Sequence, residues 1–263
     1  MSYRVFLTCV LFGLNCFAAW PSHAADLTLH DLVTTLRNAD PSRPIDLSGK
    51  DLSFLDLSDL DFKRAHLGGA NLLGTDLTGA NLSGVDLHNA KLDRTSLARA
   101  NFTGADLSRA SMFDAVGSPS FESSAADAPT FAGANLSGAR IFARLSRADM
   151  RRANLSDARL GTERNQFKMP KQTDLSGALL NDANLERADV TGANLIFANM
   201  VDANLKAAVF VRADMSNADL SGAQLAGADF TDANLYGTVF RNAKGLESVK
   251  GLDQARNRDK AVF

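Results

Sequence analysis

From Leu47 to Met112 an apolar residue returns at every fifth position, among them Leu47, Leu52, Leu57, Phe62, Leu67 and Leu72. Phe131, Leu136 and Ile141 keep the period, Leu145, Met150, Leu155 and Leu160 resume it one residue short, and Leu175 to Phe240 carry it again without a break. Together these are 35 units, with Leu at 23 of the centres. Two residues before a centre stands mostly Ala, as at Ala70, Ala80, Ala183 and Ala193, and the residue between them is mostly Asn or Asp. A five-residue period fits neither the 3.6 of a helix nor the 2 of a strand. It fits a coil in which each unit makes one short side and a turn, stacked into a solenoid. The large centre and the small Ala then fill a narrow bore, and the other three positions face water.

Units such as Ala80-Asn81-Leu82-Ser83-Gly84, Ala193-Asn194-Leu195 and Ala233-Asn234-Leu235 follow the pattern A(N/D)LXX, and in them the chain resembles the pentapeptide-repeat proteins. The resemblance covers about four fifths of the chain after its first 24 residues. It implies an all-β fold, a right-handed quadrilateral β-helix with four units per coil, about nine coils and a short helical N-terminal cap. At ~4.8 Å per coil the rod would be on the order of 40 Å long. It also implies a bacterial protein.

The organisation follows from where the period starts, stops and restarts. Residues 1–24 read as a signal peptide, 25–44 as a cap helix and linker, and 45–114 as the first repeat block. An irregular loop at 115–128, a repeat block at 129–162, a second irregular loop at 163–172, a repeat block at 173–242 and a C-terminal cap at 243–263 complete the chain. Thr28-Leu29-His30-Asp31 has the form of a capping box opening a helix with Leu29, Leu32, Val33 and Leu36 on one side. Leu246, Val249 and Leu252 are placed to cover the last coil, since an open solenoid end invites aggregation. The interval from Met112 to Phe131 reads as one residue short of a coil, and in the second loop the expected centres are Asn165 and Pro170, neither suited to a bore.

The N-terminal segment has Arg4, an apolar run from Val5 to Trp20, and Pro21-Ser22-His23-Ala24 before a cut after Ala24. The run is too short to span a bilayer comfortably, so export with cleavage is expected, with no membrane span in the mature protein. Cleavage removes Cys9 and Cys16, the only two cysteines, and with them disulfides, thiolate nucleophiles and Cys-ligated zinc. It removes Arg4 and no carboxylate, so a net charge of −2 becomes −3. So even a balance predicts neither nucleic-acid binding nor the acidity of a DNA mimic.

Three groups of residues are candidates for binding. Arg140, Arg144, Arg147, Arg151, Arg152, Arg159, Arg164, Lys168 and Lys171 accumulate around the second loop against Asp149, Asp157 and Glu163. With twenty residues per coil, Arg187 would lie on the side of Arg147 and Arg212 on that of Arg152, making a stripe for an anionic partner. Asp46, His66, Asp86 and Asp106 occupy equivalent positions in successive coils, with His88 two residues from Asp86. The set His66, Asp86, His88 and Asp106 is the one metal-like constellation. Ile196, Phe197, Val201, Val209, Val211 and Tyr236 are apolar at outward positions, enough for a patch that meets a partner or a second copy. Of these, Arg144, Arg147, Arg151, Arg152, Ile196 and Phe197 are the leading partner-binding residues.

Catalysis needs a nucleophile and base, or a metal, in a cleft, and this chain offers a filled bore, few histidines and no catalytic motif. The expected function is that of an exported, non-enzymatic module without cofactor, binding an unknown protein or an anionic envelope component in the periplasm or outside the cell. A homodimer through the C-terminal end is a further expectation. The alternative implied by the resemblance is DNA-mimic protection of DNA gyrase, should the chain stay in the cytoplasm.

Overall fold

The computed structural model describes residues 27–40, 43–117, 124–161, the backbone of Glu163–Arg164 and Pro170–Lys171, and 172–263. The expected signal segment lies outside the described residues. The chain enters through helix α1, Leu29–Arg37, whose capping box forms as read: Thr28 Oγ1 accepts from the Asp31 N–H, and Asp31 accepts from the Thr28 N–H. Leu32 and Leu36 are buried against the first coil, while Leu29 stays 40% exposed. Lys63 Nζ donates to the Leu36 carbonyl at 2.8 Å, tying the helix end to the solenoid.

Beyond α1 the chain winds as a four-sided coil whose sides begin at Asp46, Asp51, Asp56 and Asp61. Parallel bridges run up each side in a column of ten residues. On the first side these are Asp46, His66, Asp86, Asp106, Asn135, Asn154, Asn184, Asn204, Gln224 and Lys244. All 35 periodic centres are at most 2% exposed. Where the inward Ala is replaced by Thr75, Thr95, Thr173 or Thr238, the buried hydroxyl donates to a backbone carbonyl, removing the penalty of an unpartnered polar group.

One unit shows why five residues suffice. Ala80 N–H closes a turn on the Leu77 carbonyl, Asn81 N–H donates to Leu60 in the coil below, and Leu82 and Gly84 N–H donate to Asn101 and Thr103 in the coil above. The remaining donor, Ser83 N–H, is taken by Asn81 Oδ1 at 3.2 Å. Every backbone donor of the unit is satisfied, which a buried or edge-facing chain requires. Asn and Asp supply that oxygen at the right reach, as Thr130 Oγ1 does for the Ala132 N–H, which explains why they recur before most centres.

The fifth residue of the unit adopts positive φ, as at Gly84 (64°), Arg147 (60°) and Phe197 (59°). Side chains there lean toward the next coil. A Cβ on Gly74 would meet the ring of Phe54, and one on Gly222 would meet Asp202 Oδ1. Glycine at these places serves both the left-handed backbone and the side chain from the coil below.

Two insertions interrupt the winding without interrupting the columns. Asn101 bridges Thr130 and Asp106 bridges Asn135, nine residues more than a coil. The Met112 to Phe131 interval is therefore no shortened coil. Met112 lies against Ile141, and Phe131 stacks on Phe102. The loop also begins later than 115: Ala115 is buried, and Val116 ends strand β1, Ser111–Val116. The missing residue sits instead in strand β2, Arg140–Arg144, whose four-residue side pairs with β1 through a register shift between Phe113 and Val116. At the second site Arg144 bridges Asp174 and Arg159 bridges Asp189, ten residues more than a coil. There the chain leaves the bore and forms a small antiparallel pair, β3 (Glu163–Arg164) with β4 (Pro170–Lys171).

The C-terminal segment does more than lie across the end. Lys244, Lys250, Arg256 and Val262 continue the four columns with six residues per side, so the cap is itself a tenth coil. Short 3-10 turns at Leu246–Ser248 and Arg258–Lys260 take up the extra residues. Leu246, Val249 and Leu252 pack on the core only partly buried. Phe263 closes the last side by stacking on Phe240 at 5.1 Å.

Candidate functional site

The bore is filled by its own side chains, so the chemistry available to a partner lies on the four outer sides. The arginines expected to form one stripe are distributed among them. Arg144 and Arg147 belong to the third side, whose column includes Val116, Arg144, Asp174, Asn194, Asp214 and Asn234. Arg151 and Arg152 follow Asp149 on the fourth side, and Arg140 and Arg159 stand in the second column.

Arg187 and Arg212 do not extend the set as twenty-residue counting required. The ten-residue excursion shifts the count by half a coil. Arg187 N–H therefore pairs in the first side's ladder, between Asp157 and Ala207, and Arg212 follows Val209 on the second side. Arg187 is also engaged. Its Nε and Nη2 each meet a carboxylate oxygen of Asp157 at 2.8 Å, and Nη1 meets Glu186 at 2.6 Å. The Arg187 hydrogen bond holds Asp157 below the usual carboxylate range.

Arg151 folds back on Asp149 through Nε at 2.9 Å and Nη2 at 2.6 Å, which holds Asp149 below 3.8. Arg152, 82% exposed, stands 4.0 Å from Asp182 in the next coil. Together with Ala132, Gly133 and Asp182 these two arginines line a shallow concavity of about 520 Å³ on the fourth side. Its walls carry both signs of charge, so it is no simple anion site. Asp182 becomes legible as a neighbour of the arginines only once the ten-residue insertion is counted out of the phase, whereas Ala132 and Gly133 lie 19 residues before Arg151 and Arg152, across the four-residue side of β2. Of the remaining basic residues, Lys168 lies outside the described residues.

The metal-like column stacks in the expected register. Asp86 is shared: His88 Nδ1 lies 2.6 Å from its Oδ1, and His66 Nδ1 lies 3.7 Å from its Oδ2. Burial raises the Asp86 carboxyl, but hydrogen bonds from His88 outweigh it and the net direction is down. Asp106 turns to the Ser108 N–H and to Asn135 Nδ2 instead. Among the described residues no group of three His, Cys, Asp or Glu side chains converges as metal ligands. From Asp106 upward the column becomes a ladder of amides, Asn135, Asn154, Asn184 and Asn204, each Nδ2 donating to the Oδ1 below.

The apolar residues likewise divide. Val201 follows Met200 on the fourth side and Val209 and Val211 lie on the second, all half-buried. Ile196, Phe197 and Tyr236 share the third side, where Phe197 is 65% and Tyr236 52% exposed.

A stack of coils with four sides of mostly five residues, apolar centres inward and Asx turns at most corners defines the right-handed quadrilateral β-helix. The chain belongs to the pentapeptide-repeat family: the family model matches in eight copies at residues 45–84, 56–93, 80–116, 130–161, 171–206 and 208–244. Among solved structures it is similar to HetL, a pentapeptide-repeat protein involved in heterocyst differentiation regulation from the cyanobacterium Nostoc sp. strain PCC 7120. Identity is 25%, coverage is 90% of this chain and 100% of HetL, and the TM-score is 0.69. Full-length QnrB1, a plasmid-mediated fluoroquinolone resistance protein, is 17% identical with a TM-score of 0.35, covering 76% of this chain and 92% of its own. Rfr23 from the cyanobacterium Cyanothece 51142 is 21% identical with a TM-score of 0.22, covering 63% of this chain and 90% of its own. No curated protein sequence matches the chain.

Proposed function

We propose that this protein is a non-enzymatic binding scaffold that works outside the cytoplasm, in the periplasm or secreted. The observation that carries the reading is the filled bore: 35 centres at most 2% exposed leave no internal space for substrate, and function falls to the outer sides. Rigid columns of outward side chains on a solenoid suit the recognition of an extended partner. The export half rests on the signal pattern of residues 1–24. Among the described residues no helix is long and apolar enough to cross a membrane.

The intact mass of the protein from periplasmic and cytoplasmic fractions tests the reading. A species beginning at Ala25 outside the cytoplasm is expected. A full-length cytoplasmic species would overturn export and make a gyrase-protection assay the next experiment. The net charge of only −2 and the exposed arginines and aromatics on the outer sides are unlike an acidic DNA-like face, which supports the scaffold over the mimic.

A further inference from the structure

Coils seven to nine of the third side carry a face unlike the others. Its column runs through Asn194, Asp214 and Asn234. Bonds from Phe197 N–H to the Ser216 carbonyl and from Asn217 N–H to the Tyr236 carbonyl set what stands above what. Phe197 and Tyr236, each more than half exposed, thus lie on one side two coil steps apart, ~10 Å along the axis at ~4.8 Å per coil. Phe197 is held at φ 59°, and the Tyr236 N–H is tied to Asn234 Oδ1 at 3.3 Å, so both rings leave a fixed backbone.

Between the rings lies polar surface with hydrogen-bonding capacity to spare. Asp214 Oδ1 accepts from the Ser216 N–H, the Ser216 hydroxyl and Asn234 Nδ2, whereas nothing among the described residues meets its Oδ2. The Asn217 amide makes no hydrogen bond among the described residues either; its oxygen hangs over Gly237, where a Cβ would fall 2.5 Å from it. Charge narrows the partner. Asp214 is the one charged residue among the outward positions of these three coils, and the basic residues of the side stand outside them, on the fifth and tenth coils. A polyanion would meet a carboxylate here, and a single carboxylate is no match for a cationic chain. A neutral polyol needs what is present: aromatic faces for its C–H surfaces, and a carboxylate oxygen and an amide for its hydroxyls.

We propose that this face binds a neutral, extended β-1,4-linked oligosaccharide lying along the column, with one pyranose on Phe197 and another on Tyr236. Each β-1,4 link turns the next ring over, so units two apart present the same face, and two coil steps are about their spacing. The sugar between them lies over Asn217 and Asp214, which take its hydroxyls. The two aromatics supply the anchor, and the polar pair sets the position of the chain along it. The inference rests on the scaffold reading and names a ligand for it, but it does not rest on export. A cytoplasmic protein that binds the glycan would overturn export alone, and an exported one that does not would overturn the glycan alone.

The test is calorimetric titration of the full chain with cellohexaose, beside the coiled α-1,4 chain of maltohexaose and an anionic polygalacturonate oligomer. Expected is binding of cellohexaose alone, insensitive to salt as an ionic contact would not be. It should weaken about tenfold in Phe197→Asn and in Tyr236→Ala and several-fold in Asn217→Gly, and be kept in Tyr236→Phe and in Phe54→Asn, which removes an exposed ring on another side. Asn and Gly tolerate the positive φ of positions 197 and 217, so folded variants are expected, and an unchanged melting curve verifies them. The chain has two tyrosines, Tyr3 and Tyr236, so ring-labelled tyrosine reports the site directly, and cellohexaose should shift one signal. No heat from cellohexaose, equal binding of maltohexaose, tighter binding of polygalacturonate, or equal loss in Phe54→Asn would each overturn the proposal. So would a parent dimer that Phe197→Asn dissociates in sedimentation, which would give the face to a second copy.

Discussion

The rings of Phe102 and Phe131 stack in the bore, centroids 4.9 Å apart and 6° from parallel, although a complete coil and a nine-residue insertion separate them in the chain. The fold thus matches bore residue to bore residue and ejects whatever does not fit. Looping out a surface segment costs little closure entropy, whereas leaving a centre unstacked would open a cavity.

Deleting residues 118–126 should be tolerated. Gly117, Asp127, Ala128 and Pro129 remain to join Val116 to Thr130. The bonds from Gly117 N–H to the Arg144 carbonyl and from Arg99 N–H to the Asp127 carbonyl can persist. Circular dichroism should keep its β signature and the midpoint of urea unfolding should shift little; loss of cooperative unfolding would show that the insertion is structural.

The amide ladder makes graded demands at Asn154, which donates to Asn135 at 3.2 Å and accepts from Asn184 at 3.1 Å and from the Ser156 N–H at 3.2 Å. Asn154→Ala should cost about 1–2 kcal/mol, and Asn154→Asp, which keeps the acceptor, less. Denaturant melts of the two variants measure the order, and an aspartate costlier than alanine would contradict the ladder.

Acid should weaken the fold through its turn aspartates. The Arg151 hydrogen bond holds Asp149 below its ordinary value of 3.8, so its contribution is complete above that value and is lost as pH falls through the lower folded one. Asp149→Asn keeps the turn acceptor and loses the ion pair. It should be less stable at neutral pH by at most about 1 kcal/mol, and its melting temperature should fall less steeply between pH ~4 and ~2. Parallel slopes for variant and parent would remove Asp149 from the account.

At Gly74, φ is 67° and a Cβ would fall 2.6 Å from the Phe54 ring. Gly74→Ala should cost about 1 kcal/mol for the backbone and more for the displaced ring. In a Phe54→Gly background only the backbone part should remain. A double-mutant cycle with no coupling would mean that the ring moves aside freely.

Removing residues 245–263 should leave soluble protein scarce. Phe230, Leu235 and Phe240 N–H groups donate to Lys250, Arg256 and Val262 of the last coil, and truncation leaves them on an open edge. Light scattering should report association, and a monodisperse truncated protein would show the ninth coil to be a sufficient end.

The bore and the turns were legible because one residue type recurs for one physical reason at each place: Leu to fill, Ala to fit, Asn or Asp to close the corner. The N-terminal cap was legible too, since Thr28 and Asp31 satisfy donors whatever lies beyond them. The sides were not. Which outward residues share a side depends on how 14 residues between Arg159 and Asp174 are disposed, and a ten-residue excess reads equally as half a coil or as a loop. Counting by twenty therefore puts Arg187 with Arg147, whereas it pairs with Asp157. The six-residue sides of the last coil were hidden for a related reason: Lys250, Arg256 and Val262 share no residue type to mark their spacing.

The excursion at β3 and β4 behaves as a phase keeper. Had its ten residues wound inward as two more sides, every later coil would have turned by half a revolution, and Phe197 would stand above Asp157 rather than Arg147. A change of loop length there leaves the surface untouched, while five residues gained or lost in a wound stretch would reassign every side beyond it. The molecule can thus be lengthened or shortened in its loops by drift, yet its outer chemistry can be redrawn wholesale by a single small change of frame in the winding.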